Sequence, residues 1–109
     1  MAKFMISFRE RYVSFETGVS AKEFLQKVQN TECVEKWLWI VHDKNCTDEH
    51  FHIYVEIKNN LKITEVAGLF GIDKVCVNKV RENVSIAEIV GYMTAKYSVE
   101  DLHSNFYGV

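Results

Sequence analysis

The 109-residue chain has no proline and only five glycines, so few positions force a break between secondary-structure elements. No apolar run approaches the roughly 20 residues that a transmembrane helix needs, and the first residues lack the apolar stretch of a signal peptide. The three cysteines are an odd number without Cys-x-x-Cys spacing, which indicates neither a disulfide framework nor a cysteine zinc site. These absences favour a cytoplasmic protein without a membrane partner.

The chain also lacks an excess of positive charge. Its net charge of −2 excludes a protein that coats nucleic acid through a uniformly basic surface, so any nucleic-acid contact must be local. Hydrophobic residues make up 48% of the sequence, which is enough for a globular core. With no repeat or linker in the pattern, the length indicates a single domain over residues 1–109.

Periodicity predicts the element order β-α-β-β-α-β-α. Alternating apolar residues predict four strands, in KFMISFR, KWLWIVHD, HFHIYVEI and KVCVNKV. Capping boxes begin two helices, Ser20 with Glu23 and Ser85 with Glu88, and a third predicted helix, ITEVAGLFG, ends at Gly71. This order predicts an α+β fold in which an antiparallel sheet carries its helices on one face, in the ferredoxin-like manner. Such a sheet leaves its other face open.

The third predicted strand carries two histidines one residue apart. Because side chains alternate along a strand, His50 and His52 share the face that is predicted to be open. Imidazole is the commonest neutral ligand for first-row divalent metals, and His42 ends the neighbouring strand within reach of the same region. A metal site fits this pattern. A half-exposed strand that contains two histidines by chance fits it as well.

The last predicted helix carries Tyr92 and Lys96, four residues apart and therefore on one side of the helix. Tyr92 lies beside the apolar stripe that includes Ile89 and Met93. The spacing alone is more typical of a tyrosine that packs at the edge of a core.

Three stretches, WIVHDKN, HFHIYVEI and YMTAK, occur in the order and approximate spacing of three motifs in a known family. They resemble the rolling-circle replication initiators of small bacterial plasmids, which belong to the HUH endonuclease superfamily, over nearly the whole chain. The resemblance implies metal-dependent, site-specific nicking and joining of single-stranded DNA to start rolling-circle replication. It also implies a DNA partner, a single-stranded or hairpin site at a replication origin.

The resemblance further implies a role for each matching residue. Tyr92 would be the nucleophile that forms a 5′-phosphotyrosine, and Lys96 would orient the phosphate or the metal-bound group. His50 and His52 would hold a divalent metal, Mn²⁺ or Mg²⁺, with His42 as a further ligand.

The chain departs from the family's pattern in residues expected to bind metal and phosphate. Asn45 stands where the family usually has an acid, and an amide can coordinate only through its neutral carbonyl; Asp43 or Asp48 could take its place. A ligand set of mainly nitrogen atoms favours Mn²⁺ over Mg²⁺, which prefers oxygen. Ala95 replaces a histidine that the family often has, which leaves Lys96 as the evident phosphate partner on the helix.

Other classes of function remain compatible with the sequence. A non-catalytic module could stack the bases of single-stranded DNA or RNA on an open sheet face, and it would need neither Tyr92 nor a metal. An interaction domain could carry the histidines without using them. Nickases of transposition, conjugation and viral systems share the same motifs, so the biological setting also stays open.

Overall fold

A computed structural model describes residues 1–9, 18, 20–42, 50–96 and 102–106, with the backbone alone at 42, 94 and 96. Within these residues the strands are β1 (Ala2–Arg9), β2 (Val34–His42), β3 (His50–Ile57), β4 (Val77–Val80) and β5 (Leu102–Ser104). The α-helices described are α1 (Ala21–Gln29), α2 (Ile63–Phe70) and α3 (Ile86–Lys96), and a 3₁₀ turn at Lys74–Cys76 precedes β4. The predicted α+β class and the element order through α3 are confirmed.

The described strands form one antiparallel sheet in the order β4-β1-β3-β2-β5. The middle strand is β3, which pairs with β1 on one side and β2 on the other. Its register is fixed by apolar pairs such as Phe4 with Val55 and Ile6 with Ile53, all four fully buried. Because side chains alternate along a strand, a slip of one residue would turn the histidines of β3 into this core.

The first core lies between the sheet and the helices α1 and α2. The ring of Phe8 meets that of Phe24 edge-on at 5.0 Å and stacks on Phe51 at 5.3 Å, while Phe24 contacts Phe70 at 6.3 Å. Each side chain of this size contributes about 1.5 to 3 kcal/mol when it is fully buried. This core therefore holds β1 and β3 against both helices.

The predicted helix ends are confirmed. Ser20 Oγ accepts a hydrogen bond from the Glu23 amide at 3.2 Å. At the start of α3, Ser85 Oγ accepts from the Glu88 amide at 3.1 Å and the Glu88 carboxylate accepts from the Ser85 amide at 3.4 Å, which completes a capping box. Gly71 ends α2 with φ of 71°, a conformation that glycine adopts without steric cost. No helix in the described ranges is long and apolar enough to cross a membrane.

The prediction that the helices lie on one face is wrong, because α3 packs on the opposite face of the sheet. This second core consists of Leu38, Ile40, Tyr54, Ile89, Val90, Met93 and Leu102. The physical reason lies in β2, where Leu38 and Ile40 point to one face while Trp37 and Trp39 point to the other. A sheet that is apolar on both faces buries both. The face expected to be open is therefore partly covered by α3.

The strand β5 was not predicted and closes the second core at the edge of β2. Leu102 pairs with Ile40 and is 1% exposed. Asn105 follows β5 and makes two hydrogen bonds to the backbone of β2. Its Oδ1 accepts from the Trp37 amide and its Nδ2 donates to the Glu35 carbonyl, both at 2.9 Å. These contacts hold β5 and Asn105 against β2.

Replacing Leu102 with alanine should lower the free energy of unfolding by about 2 to 5 kcal/mol, because it leaves a cavity between β5 and α3. Leu69→Ala is the matched control, since Leu69 is 39% exposed and its loss should cost under about 1 kcal/mol. Guanidinium unfolding curves of the two variants measure the difference. Equal destabilisation would contradict the docking of β5.

Candidate functional site

The predicted metal-binding residues that the structure describes, His42, His50 and His52, lie at one end of the three central strands. The register places His50 of β3 directly between Arg9 of β1 and His42 of β2. Side chains at such paired positions share a face, and their Cβ atoms are about 4.5 to 5.5 Å apart. The backbones of His42 and His50 are thus adjacent, as expected. The side chain of His42 and all of Asn45 lie outside the described residues, so their roles as ligands stay predictions.

The second histidine lies two residues further along β3. His52 is flanked by Ser7 of β1 and Ile40 of β2, and its Nδ1 is hydrogen-bonded to Ser7 Oγ at 2.9 Å. His50 and His52 are both half-buried on the same face of one strand. The sequence gives no sign of the Ser7 contact, because a single serine in an alternating strand has no periodicity of its own.

Within the described residues, no cluster of three or more His, Cys, Asp or Glu side chains is arranged to hold a metal ion. The described part of the candidate site is therefore the pair His50 and His52. The residues predicted to complete the ligand set are outside the described side chains: His42, Asp43, Asn45 and Asp48.

Further along the same face of β3 lies a buried polar pair. Tyr54 is fully buried and donates a hydrogen bond of 2.7 Å to Glu56, which is itself only 3% exposed. Lys3 and Lys36 occupy the paired positions on either side of Glu56. A carboxylate this deeply buried is tolerated only when it is hydrogen-bonded or paired, and the tyrosine hydroxyl supplies a hydrogen bond.

Burial raises the pKa of Tyr54 far above its usual value, and the hydrogen bond to the Glu56 carboxylate raises it further. The phenol therefore keeps its proton at neutral pH. Because Tyr54 is also inaccessible to a substrate, it is excluded as a nucleophile although it lies on the same strand face as the histidines.

Tyr92 lies on the flank of α3. The next residue, Met93, is 1% exposed and packs on the sheet, whereas Tyr92 is 57% exposed. One residue step turns a helix by about 100°, so the Tyr92 ring emerges beside the contact between α3 and the sheet. Lys96 follows one turn later on the same side of the helix, and its side chain is outside the described part.

The histidines and α3 lie on the same face of the sheet. Ile40 is the link, because it pairs with His52 across the strands and also packs in the second core with Ile89 and Met93. The core under α3 therefore borders His52. The arrangement brings a pair of imidazoles and the helix that bears the exposed Tyr92 to the same surface.

The fourth histidine lies elsewhere. His103 of β5 is exposed and stacks on Trp39 with ring centroids 4.3 Å apart. Trp39 points toward the first core, so His103 is on the sheet face opposite to His50 and His52. It can take no part in a site with them.

Replacing Tyr54 with phenylalanine should lower the free energy of unfolding at pH 8 by about 1 to 3 kcal/mol, because buried Glu56 loses its donor. Because folding raises the pKa of Tyr54, the folded state keeps the phenol protonated up to a higher pH than the unfolded state does. The stabilisation that the Tyr54 hydroxyl contributes is therefore complete below pH about 10 and declines as the pH rises further. Guanidinium unfolding at pH 8 and pH 11 should show the gap between wild type and variant narrowing. A constant gap would contradict this assignment.

Comparison of the chain with protein-family models, with curated proteins and with solved structures finds no match. The functional interpretation therefore depends on the residues of the chain and their arrangement. Those residues are the half-buried pair His50 and His52, the neighbouring Arg9 and Ser7, and the exposed Tyr92 on the helix that covers their face.

Proposed function

We propose that this chain is a metal-dependent nicking and joining enzyme for single-stranded DNA, a rolling-circle replication initiator domain of the HUH endonuclease kind. The observation that carries the proposal is that α3, which bears Tyr92, packs on the sheet face that bears His50 and His52. A nucleophile and the groups that hold its phosphate must share one surface for an in-line attack. These residues are some 40 positions apart in the sequence, and only the fold brings their elements together.

The strand order also supports the proposal. The arrangement β4-β1-β3-β2, with α1 and α2 in the connections and on one face, is the one expected for a ferredoxin-like unit. The additional elements, α3 and β5, extend that unit on its second face and at the edge of β2. The helix α3 carries Tyr92. The strand β5 extends the sheet beyond β2, where the ferredoxin-like unit would end.

In the proposed reaction, the phenol oxygen of Tyr92 attacks the phosphorus of a DNA phosphodiester. A bond forms between Tyr92 and the 5′-phosphate while the bond from phosphorus to the 3′ oxygen of the preceding nucleotide breaks. The phenol gives up its proton and the leaving 3′ oxygen takes one up, which yields a free 3′-hydroxyl. Because one ester replaces another, attack by a 3′-hydroxyl reverses the step and rejoins a strand without ATP.

The two histidines fit a divalent metal because they offer neutral nitrogen donors from one face of a rigid central strand. His42 and Asn45 are proposed to contribute further donors. A bound metal would polarise the phosphodiester and offset the negative charge that develops on its oxygens. Nitrogen donors suit Mn²⁺ better than Mg²⁺.

Two basic residues are suited to hold the DNA phosphate. Arg9 is exposed and pairs with His50 across the strands, and a guanidinium can bind two phosphate oxygens at once. Lys96 follows Tyr92 by one helical turn and would orient the phosphate from the helix side. These local charges agree with a chain whose net charge is −2 and with selective binding of a single-stranded or hairpin site.

A non-catalytic nucleic-acid module is less well supported. Such a module would stack bases on the sheet face that carries the histidines, but Leu38, Ile40 and Tyr54 on that face are buried under α3. A plasmid replicon, a transposon, a conjugative element or a virus could each use the proposed nickase.

Tyr92→Phe should abolish formation of the covalent protein–DNA adduct, because phenylalanine has no oxygen to attack phosphorus. The ring is largely exposed, so the free energy of unfolding should change by no more than about 0.5 kcal/mol. The measurement is incubation with a labelled single-stranded origin oligonucleotide and Mn²⁺, followed by a denaturing gel.

Tyr97→Phe is the control for this experiment, since Tyr97 has no lysine four residues later and lies outside the described residues. It should still form the adduct. An adduct made by Tyr92→Phe but lost in Tyr97→Phe would transfer the role of nucleophile to Tyr97.

Replacing both His50 and His52 with alanine should remove Mn²⁺ binding measured by titration calorimetry, because the two imidazoles are the proposed core of the ligand set. His103→Ala is the matched control, since His103 lies on the opposite face of the sheet. It should bind Mn²⁺ as the wild type does. Equal binding by all three proteins would rule out the proposed site.

A further inference from the structure

We infer that Ser7 positions the imidazole of His52 for metal binding by accepting a hydrogen bond from its Nδ1–H. The inference rests on the proposed metal site and adds to it a residue that no sequence motif contains. Its basis is the contact of 2.9 Å between Ser7 Oγ and His52 Nδ1, across the register of β1 and β3.

Of the two described residues that pair with His52 across the strands, Ser7 is the one whose side chain can form a hydrogen bond with the ring. On one side of His52 the paired residue is Ser7, and on the other side it is Ile40. Ile40 is fully buried in the second core and has no polar side-chain atom. The apolar neighbour therefore limits where the ring can lie, and the hydroxyl determines which ring edge faces β1.

The hydrogen bond has a chemical consequence for ligation. A neutral imidazole carries one N–H and one lone pair, so a proton held on Nδ1 assigns the lone pair to Nε2. Histidines that bind metals usually donate their other ring N–H to a fixed acceptor, and loss of that acceptor typically weakens metal binding by about 10- to 100-fold. Ser7 is placed to be that acceptor for His52.

The neighbouring histidine has a different environment. His50 pairs with Arg9 on β1, and a guanidinium only donates hydrogen bonds, so it cannot accept the N–H of His50. The two histidines are therefore unequal, and a change at Ser7 should act on His52 alone. This asymmetry gives a readout that a general loss of stability would not reproduce.

The experiment compares Ser7→Ala, which removes the hydroxyl, with Ser7→Thr, which retains it and suits a strand. Ser104→Ala serves as the matched control, because Ser104 lies on the same sheet face but at the far edge, in β5, opposite Leu38. Two quantities are measured on each protein. Ring ¹⁵N spectra of the metal-free protein at pH 8 report which nitrogen of each histidine carries the proton, and calorimetry reports Mn²⁺ affinity.

In the wild type, the His52 proton should reside on Nδ1. In Ser7→Ala it should be shared between the two ring nitrogens while the His50 signals stay unchanged, and Mn²⁺ should bind about 10- to 100-fold more weakly. Ser7→Thr and Ser104→Ala should behave as the wild type does. A wild-type His52 protonated on Nε2, or equal Mn²⁺ affinity in wild type and Ser7→Ala, would overturn the inference and leave the proposed function standing. A wild type that binds no Mn²⁺ would instead overturn the proposed metal site and the inference with it.

Discussion

The register of β3 between β1 and β2 is the constraint on which the rest of this structure depends. Phe51, Ile53 and Val55 fill the first core, so the residues between them must point to the other face. That face consequently receives both histidines at one end and the Tyr54–Glu56 pair at the other. The hydrophobic core on one face of the sheet thus determines which positions of β3 carry polar side chains on the other face. A shift of the strand by one residue would exchange the two sets of side chains.

The second core divides this polar face into two environments. Where α3 and β5 cover it, Tyr54 is out of contact with solvent and donates a hydrogen bond to the buried side chain of Glu56. On the same face next to Ile40, His52 and then His50 are only half-buried. The hydrogen-bonded Tyr54–Glu56 pair therefore lies under α3. The two histidines, which could bind and release ligands, lie beside the core that α3 covers. The same helix also carries Tyr92 on its flank. The packing of α3 on the sheet therefore positions the proposed nucleophile and forms one border of the proposed metal site.

Periodicity and capping predicted the first four strands and the three helices because these elements carry repeated signals, such as the Ser85–Glu88 box. The fifth strand has only three residues, and Leu102 is its single buried one, which is too short for alternation to be visible. The covering of the second face depends on β2, which has apolar residues on both faces, but a sequence pattern does not indicate that α3 and β5 are the elements that pack there. Similarly, the sequence predicted that His42 lies near His50 and His52, whereas the positions of Arg9 and Ser7 beside these histidines required the three-dimensional register.

The two described tyrosines on this side of the sheet differ in their exposure to solvent, and this difference separates a structural phenol from one that is available for reaction. Both have a phenol, and both lie on elements that contribute to the second core. Tyr54 is enclosed, its proton is directed at Glu56, and its raised pKa opposes the ionisation that nucleophilic attack requires. Tyr92 lies one helical step from buried Met93 and keeps more than half of its surface in solvent. Of these two phenols, only that of Tyr92 is accessible from solvent, as the proposed role of nucleophile requires.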